Sequence, residues 1–145
     1  MKKLKILFLC AGNACRSRVA EGWARHLRTD LLESSSAGIE THSLNSKAVR
    51  VMAEVEVDIS GYKSKRLGNF HGVVFDFVIT VCGNAHESCS VFPGEAKVVR
   101  VPFDDPPRLA KNAQSEGEAL AHYRRVRDEI CEFVETLPGR LEERG

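Results

Sequence analysis

Residues 5–23 read KILFLCAGNACRSRVAEGW. Lys5–Cys10 is a short and nearly continuous apolar run, which is typical of a strand buried on both faces. From Ser17 onward, apolar residues such as Val19, Trp23 and Leu27 recur at helical spacing. The stretch therefore predicts a buried strand, a tight loop and an amphipathic helix.

Strand and helix patterns continue to alternate along the rest of the chain. In chain order the predicted elements are strand Lys5–Cys10, helix Ser17–Leu32, a weaker strand Ser35–Ile39, helix Lys47–Val57, strand Phe75–Cys82, strand Lys97–Val101 and helix Ser115–Leu137. Such alternation indicates an α/β fold with a parallel sheet covered by helices on both faces. In these folds ligands bind at the carboxyl ends of the strands, so the segments after Cys10, Cys82 and Val101 are the places to look for a site.

Composition and charge exclude several classes of protein. The chain has 145 residues, a net charge of +1 and 43% hydrophobic residues, as expected for one globular domain rather than a disordered or general nucleic-acid-binding protein. No apolar stretch approaches the ~18 residues that a membrane helix needs. We expect one domain at 1–138 and a charged, flexible tail at 139–145. We also expect a cytoplasmic location, where the five cysteines would be thiols, metal ligands or catalytic groups.

The loop after the first strand has the pattern Cys-x5-Arg-Ser, from Cys10 to Arg16 and Ser17. Gly12 and Asn13 tolerate the backbone angles that curl a loop around an anion. The following helix points its N–H groups and positive dipole end at the same place, and an arginine can grip two oxygens of an oxyanion. This setting favours a thiolate nucleophile at Cys10. The alternative is a buried cysteine at a strand end beside an arginine with no functional role.

Two other loops carry residues that fit the same chemistry. Cys82 and Cys89 do not have the spacing of a zinc site, and they are compatible with a disulfide that forms when the loop moves. The alternative is a core cysteine followed by a surface cysteine. Asp104 and Asp105 follow the third strong strand, where one of them could protonate a leaving oxygen, although Asp105-Pro106 also fits a simple turn.

Three remaining residues are interpreted as structural. Cys15 lies inside the first loop and is either a spare thiol or a small buried residue. Cys131 and Trp23 fall at apolar helical positions, so we expect both in the core.

With these motifs in place, the chain resembles the thioredoxin-coupled arsenate reductases built on the low-molecular-weight tyrosine phosphatase fold. The resemblance runs from about residue 5 to 109 and rests on CAGNACRSRVAEGW, SAGIETHSLNSKAV, FDFVITVCGNAHESC and FDDPP. The first and last motifs are similar in reductases and phosphatases alike, whereas Cys82 and Cys89 mark the reductase branch. The resemblance implies a flavodoxin-like sheet of four parallel strands with helices on both faces.

The resemblance also implies a role for each site residue. Cys10 would attack arsenate held by the backbone of the loop and by Arg16, while Ser17 hydrogen-bonds the thiolate and Asp105 protonates the departing oxygen. Cys82 would then form a disulfide with Cys10, and Cys89 would move that disulfide to Cys82–Cys89. The oxyanion-binding loop would consist of Ala11, Gly12, Asn13, Ala14, Cys15 and Arg16.

The resemblance further implies the reaction partners. The enzyme would bind no cofactor and would take reducing equivalents from thioredoxin, or from glutaredoxin and glutathione. We expect a monomer that does not bind nucleic acid or membranes.

This sequence departs from the family pattern in three places. Arg18-Val19 stands where relatives often have Gln-Met, and Ser90 stands where many have proline. Some relatives bind potassium near the anion loop, using residues like Asn13, Ser36 and Glu21 together with an acidic partner. Lys65, a cation, is the matching position for that partner, so we expect no metal site.

Two competing hypotheses remain open. The chain could be a low-molecular-weight tyrosine phosphatase whose extra cysteines only protect Cys10 from oxidation. It could also be a non-enzymatic redox or oxyanion sensor that uses Cys82 and Cys89 as a switch.

Overall fold

Strand β1 (Leu4–Cys10) lies in the middle of the sheet, and its last five residues are buried. The computed structural model describes residues 3–10, 15–38, 45–61, 73–82, 97–137 and 139. The other elements are α1 (Arg16–Leu27), β2 (Leu32–Gly38), α2 (Ser46–Ala53), β3 (Phe77–Cys82), β4 (Lys97–Phe103), α3 (Pro106–Ala110) and α4 (Glu116–Glu135).

The described strands form a four-stranded parallel sheet in the order β2-β1-β3-β4, which confirms the predicted fold class. Since all strands run the same way, their carboxyl ends meet at one edge, where Cys10, Cys82 and Phe103 end their strands. This edge is where a parallel sheet binds its ligand.

Each face of the sheet has its own apolar cluster. Phe8 and Cys10 point into the larger one, which also includes Trp23 and Phe133 from α1 and α4. The smaller cluster on the opposite face includes Leu7, Leu9 and Val78. The alternation along β1 explains why its sequence is apolar almost throughout.

The first predicted helix extends too far at its end. We predicted helix from Ser17 to Leu32, but α1 stops at Leu27 and Leu32 already begins β2. Leu31 accepts a hydrogen bond from the Leu4 N–H at 3.1 Å, and Leu32 pairs with Leu4. Leu31, which fits the helical spacing, therefore lies in the connection between α1 and β2.

The other predicted bounds are correct to within a few residues, with one omission. The predicted strand Ser35–Ile39 starts three residues earlier than expected, and Ile39 lies outside the described residues. The short helix α3 was not predicted; Asp105 is its N-cap residue and Pro106 takes its first position, where the missing N–H costs nothing. Apart from Gly139, the expected tail at 139–145 lies outside the described residues.

Candidate active site

Cys10 ends the central strand at a position shielded from water. Cys10 is only 4% exposed, and its Sγ atom lies 3.0 Å from the Oγ atom of Ser17. Ser17 is fully buried on the first turn of α1, so the helix holds its hydroxyl against the sulfur. A hydroxyl at this distance donates a hydrogen bond to a thiolate, which favours the charged and nucleophilic form.

Arg16 starts α1 and is also buried. Its Nη1 atom donates to the carbonyl oxygen of Phe103 at 3.0 Å and to that of Val81 at 3.4 Å. Phe103 is the last residue of β4 and Val81 is the second-last residue of β3. The guanidinium therefore spans the edge of the sheet where these two strands end. The sequence placed Arg16 beside the anion loop, and the structure adds this attachment to two neighbouring strands.

The two aspartates after β4 have different surroundings. Asp104 forms an exposed ion pair with Arg125 at 2.9 Å, on the side of α4. Asp105 has a carboxyl Oδ1 atom 3.9 Å from the Nε atom of Arg16, and its side chain makes no capping hydrogen bond to α3. With a side chain 35% exposed, Asp105 can exchange protons with water, which a proton donor must do.

Cys15 is the N-cap residue of α1 and is buried. Burial raises the pKa of its thiol far above the ordinary value, and the neighbouring charges of Cys10 and Asp105 raise it further. Cys15 therefore stays a neutral thiol at physiological pH. Of the two readings of Cys15, the structure favours the small buried residue.

The structure corrects the interpretation of Cys131 and supports that of Trp23. Trp23 is buried, as predicted, and its indole N–H donates to the Arg127 carbonyl at 3.1 Å. Cys131 only packs against the edge of the core and is partly exposed, and its thiol donates to Glu135 at 3.3 Å. Burial and the neighbouring carboxylates raise the pKa of Cys131 to about 12, so it is a poor nucleophile.

The sequence pointed to Arg18, Glu21 and Ser36 near the anion loop, but it did not predict that the two charged residues are buried. Arg18 and Glu21 are both buried on α1, and Ser36 on β2 donates a hydrogen bond to Glu21 at 2.5 Å. In the structure every residue from Arg16 to Ala24 is buried, so any charged residue in this part of α1 lies inside the protein.

Several predicted site residues fall on parts of the chain that the structure does not describe. Ala11, Gly12, Asn13, Ala14, Lys65 and Cys89 lie outside the described residues, and for Cys82 only the backbone is described. Within the described parts of the chain no three His, Cys, Asp or Glu side chains converge as metal ligands would. None of the helices there is long and apolar enough to span a membrane.

Comparisons with known proteins connect this geometry to a family. The family profile of the low molecular weight phosphotyrosine protein phosphatases matches residues 5–144. Arsenate reductase 2 of Staphylococcus saprophyticus is 42% identical over 92% of this chain and 95% of its own length. The arsenate reductase of Bacillus subtilis is 43% identical over 94% of this chain and 99% of its own.

A solved structure described as an arsenate reductase in the phosphate binding state superimposes with a TM-score of 0.77 at 31% identity, covering 94% of this chain and 98% of the other. Sequence and structure comparisons therefore agree over nearly the whole chain. The expected resemblance is confirmed: this chain belongs to the low-molecular-weight phosphotyrosine protein phosphatase family, among its arsenate reductases.

Proposed function

We propose that this protein reduces arsenate to arsenite through a relay of Cys10, Cys82 and Cys89. The observation that carries the proposal is the position of Cys10, buried at a strand end with Ser17 at 3.0 Å and Arg16 starting the adjacent helix. In the first step the Cys10 thiolate attacks arsenic and an oxygen leaves as water. Asp105 supplies the proton to that oxygen, and Arg16 balances the negative charge of the arsenate.

In the second step Cys82 attacks the Cys10 sulfur. The Cys10–arsenic bond breaks, its electron pair stays on arsenic, and arsenite leaves as a Cys10–Cys82 disulfide forms. Two thiols and one arsenate thus give one disulfide, one arsenite and one water.

Backbone positions support the second step. Leu9 pairs with Thr80, and Cys10 and Cys82 follow one and two residues later on adjacent strands. Both cysteines therefore end neighbouring strands at the same edge of the sheet.

In the third step Cys89 attacks Cys82, which releases the Cys10 thiolate and moves the disulfide to Cys82–Cys89. A dithiol protein such as thioredoxin, or glutaredoxin with glutathione, reduces this disulfide and completes the cycle. We propose that the protein acts in the cytoplasm, as a monomer, without a bound cofactor.

The decisive experiment is arsenate-dependent consumption of NADPH in an assay coupled to thioredoxin and its reductase. Wild type should turn over repeatedly, whereas Cys89→Ser should release about one arsenite per chain and stop, because the Cys10–Cys82 disulfide cannot be moved outward. Cys131→Ser is the matched control, since Cys131 is partly exposed and its thiol contacts Glu135 rather than the site, and it should turn over like wild type. The proposal fails if wild type shows no arsenate-dependent turnover with either thioredoxin or glutaredoxin as donor.

A phosphatase is the second candidate, because ester hydrolysis needs only the nucleophile, the arginine and the acid of the same site. Arg16 and Asp105 already lie 3.9 Å apart at the strand ends. A phosphatase would hydrolyse an aryl phosphate equally well in Cys82→Ser and Cys89→Ser. That result, together with absent arsenate turnover in wild type, would favour this candidate over the reductase.

A further inference from the structure

The pairing between β3 and β4 changes register just before both strands end. Residues 77–80 pair in step with residues 97–100. Two residues further along β3, Cys82 pairs with Phe103, so β4 has one extra residue in this stretch. Pro102 lies in the same stretch of β4, and because proline has no N–H it cannot donate a hydrogen bond to the neighbouring strand. The two strand ends that lead into the site are therefore joined less regularly than the rest of these strands.

The Arg16 guanidinium bridges the two strands at this irregular point. Its Nη1 atom donates to the carbonyl oxygen of Phe103 at 3.0 Å and to that of Val81 at 3.4 Å. Arg16 is only 6% exposed, so water competes little for these oxygens and the hydrogen bonds are stronger than they would be at the surface. One planar cation thus ties the end of β3 to the end of β4.

Both acceptor residues lie close in sequence to residues with a role in the proposed reaction. Val81 directly precedes Cys82, which attacks Cys10 in the second step. Phe103 lies two residues before Asp105, the proposed proton donor, whose Oδ1 atom is 3.9 Å from the Arg16 Nε atom. A displacement of either strand end would therefore move one of these groups relative to Cys10.

We propose that Arg16 is a positioning residue for the second step, in addition to binding the oxyanion: by holding β3 and β4 together at their ends, it keeps Cys82 aligned with Cys10. The inference rests on the proposed relay. A positive charge stabilises the Cys10 thiolate and so favours the reduced pair of cysteines. Alignment of the two cysteines instead favours their disulfide, because it raises the effective concentration of one thiol at the other. The two roles of Arg16 therefore act in opposite directions on one equilibrium, which makes them separable.

The test is the equilibrium between the reduced pair and the Cys10–Cys82 disulfide in glutathione buffers, in the full chain carrying Cys89→Ser. Each disulfide that forms consumes one oxidised glutathione and releases two reduced ones. After the free thiols are alkylated, mass spectrometry quantifies the disulfide, because Cys10 lies in tryptic peptide 6–16 and Cys82 in tryptic peptide 67–97. The oxidant is glutathione disulfide, so the measurement does not depend on oxyanion binding.

Arg16→Lys is the variant that separates the two roles, since lysine keeps the positive charge but is one bond shorter and lacks the rigid fork. We expect its equilibrium constant for disulfide formation to be about tenfold lower than that of the parent chain, because a hydrogen bond from a charged group contributes at least this factor. Arg125→Lys is the matched control: Arg125 also contacts the end of β4, but through an exposed ion pair with Asp104 at 2.9 Å. Its equilibrium constant should equal that of the parent.

A second measurement needs no variant of Arg16. In the reduced wild-type chain with ¹⁵N-labelled arginine, NMR should show the two Nη1 hydrogens of Arg16 as separate and slowly exchanging signals. The hydrogen bonds to Val81 and Phe103 prevent rotation of this group and protect its hydrogens. Arg50 is the internal reference, because its side chain is 56% exposed and its Nη hydrogens should exchange rapidly with water.

An equilibrium constant in Arg16→Lys that is equal to the parent value, or higher, would overturn the inference, since a charge alone would then account for Arg16. If Arg16→Lys does not fold by circular dichroism, the wild-type NMR experiment decides, and rapidly exchanging, averaged Nη1 signals would refute the bridge. Neither measurement contains arsenate. A failed arsenate turnover assay would therefore count against the proposed function and leave the outcome of these two measurements unchanged.

Discussion

The Ser17 hydroxyl is the feature of this site whose removal has the most predictable effect. In Ser17→Ala the hydrogen bond to Cys10 Sγ at 3.0 Å is lost, and the site is too buried for water to replace it easily. A hydrogen bond to a charged group contributes about 1.5–3 kcal/mol. Since about 1.4 kcal/mol corresponds to a factor of ten, the thiolate fraction of Cys10 should fall by ~10- to 150-fold below the midpoint of its titration. Alkylation of Cys10 by iodoacetamide, measured well below the midpoint of its pH profile and resolved by mass spectrometry, should slow by the same factor.

Ser34→Ala is the matched control for this experiment. Ser34 is also a buried serine beside α1, but its Oγ atom has no hydrogen-bond partner in the described structure. Its removal should leave the alkylation rate unchanged and should not lower the free energy of unfolding, because an unsatisfied buried hydroxyl is itself unfavourable. If Ser17→Ala reacts as fast as wild type while remaining folded, the Ser17 contact does not control the thiolate.

Four other perturbations have expected outcomes. Asp105→Asn should lower the rate of arsenite formation in a single turnover by about 10²- to 10⁴-fold, the usual contribution of a general acid, while leaving Cys10 alkylation within a few-fold. Hydrogen bonds from two arginines, Arg124 first, lower the pKa of Glu54 to about 2, so its ion pairs stabilise the protein fully above pH ~4.5 and lose this effect as pH falls through about 2. The difference in the free energy of unfolding between wild type and Glu54→Gln, measured with urea, should be at most about 1 kcal/mol at pH 7 and should shrink steadily as the pH is lowered from about 4.5 toward 2. Gly22→Ala should lower the free energy of unfolding by about 1–2 kcal/mol, because a Cβ there would lie 2.7 Å from Ile59 Cγ2 and the strain exceeds the gain in helix propensity; a more stable variant would contradict this. As no metal site is predicted, turnover at constant ionic strength should be equal in potassium and sodium salts, and a potassium-dependent rate would show that prediction to be wrong.

The strands that are buried on both faces could be predicted from sequence because their burial leaves a continuous apolar pattern. β1 and β3 are of this kind. β2 reads LESSSAG and lies at one edge of the sheet, so only part of its pattern is apolar and its start was missed. What fixes that start is a tertiary contact, the pairing of Leu32 with Leu4 across 28 residues, which no local window contains.

The site shows the same division between local and distant information. The order Cys10, Arg16, Ser17 is local, because one strand, one loop and one helix bring the three together. The pairing of Glu21 with Ser36 depends on how α1 lies against β2, so spacing along the chain does not reveal it. The choice between Asp104 and Asp105 likewise depends on Arg125, which lies 21 residues further along and binds Asp104.

A net charge close to zero, here +1, is compatible with a local anion-binding site. Many exposed arginines are paired with carboxylates on the surface, as Arg124 is with Glu54 and Arg50 with Glu116, and water and salt screen what remains of their field. Arg16 is buried where β3 and β4 end, and the lower effective dielectric there makes its charge count for more. The field that an arsenate or a thiolate meets is therefore set by a few buried groups, and changing one of them should alter reactivity far more than changing several surface charges.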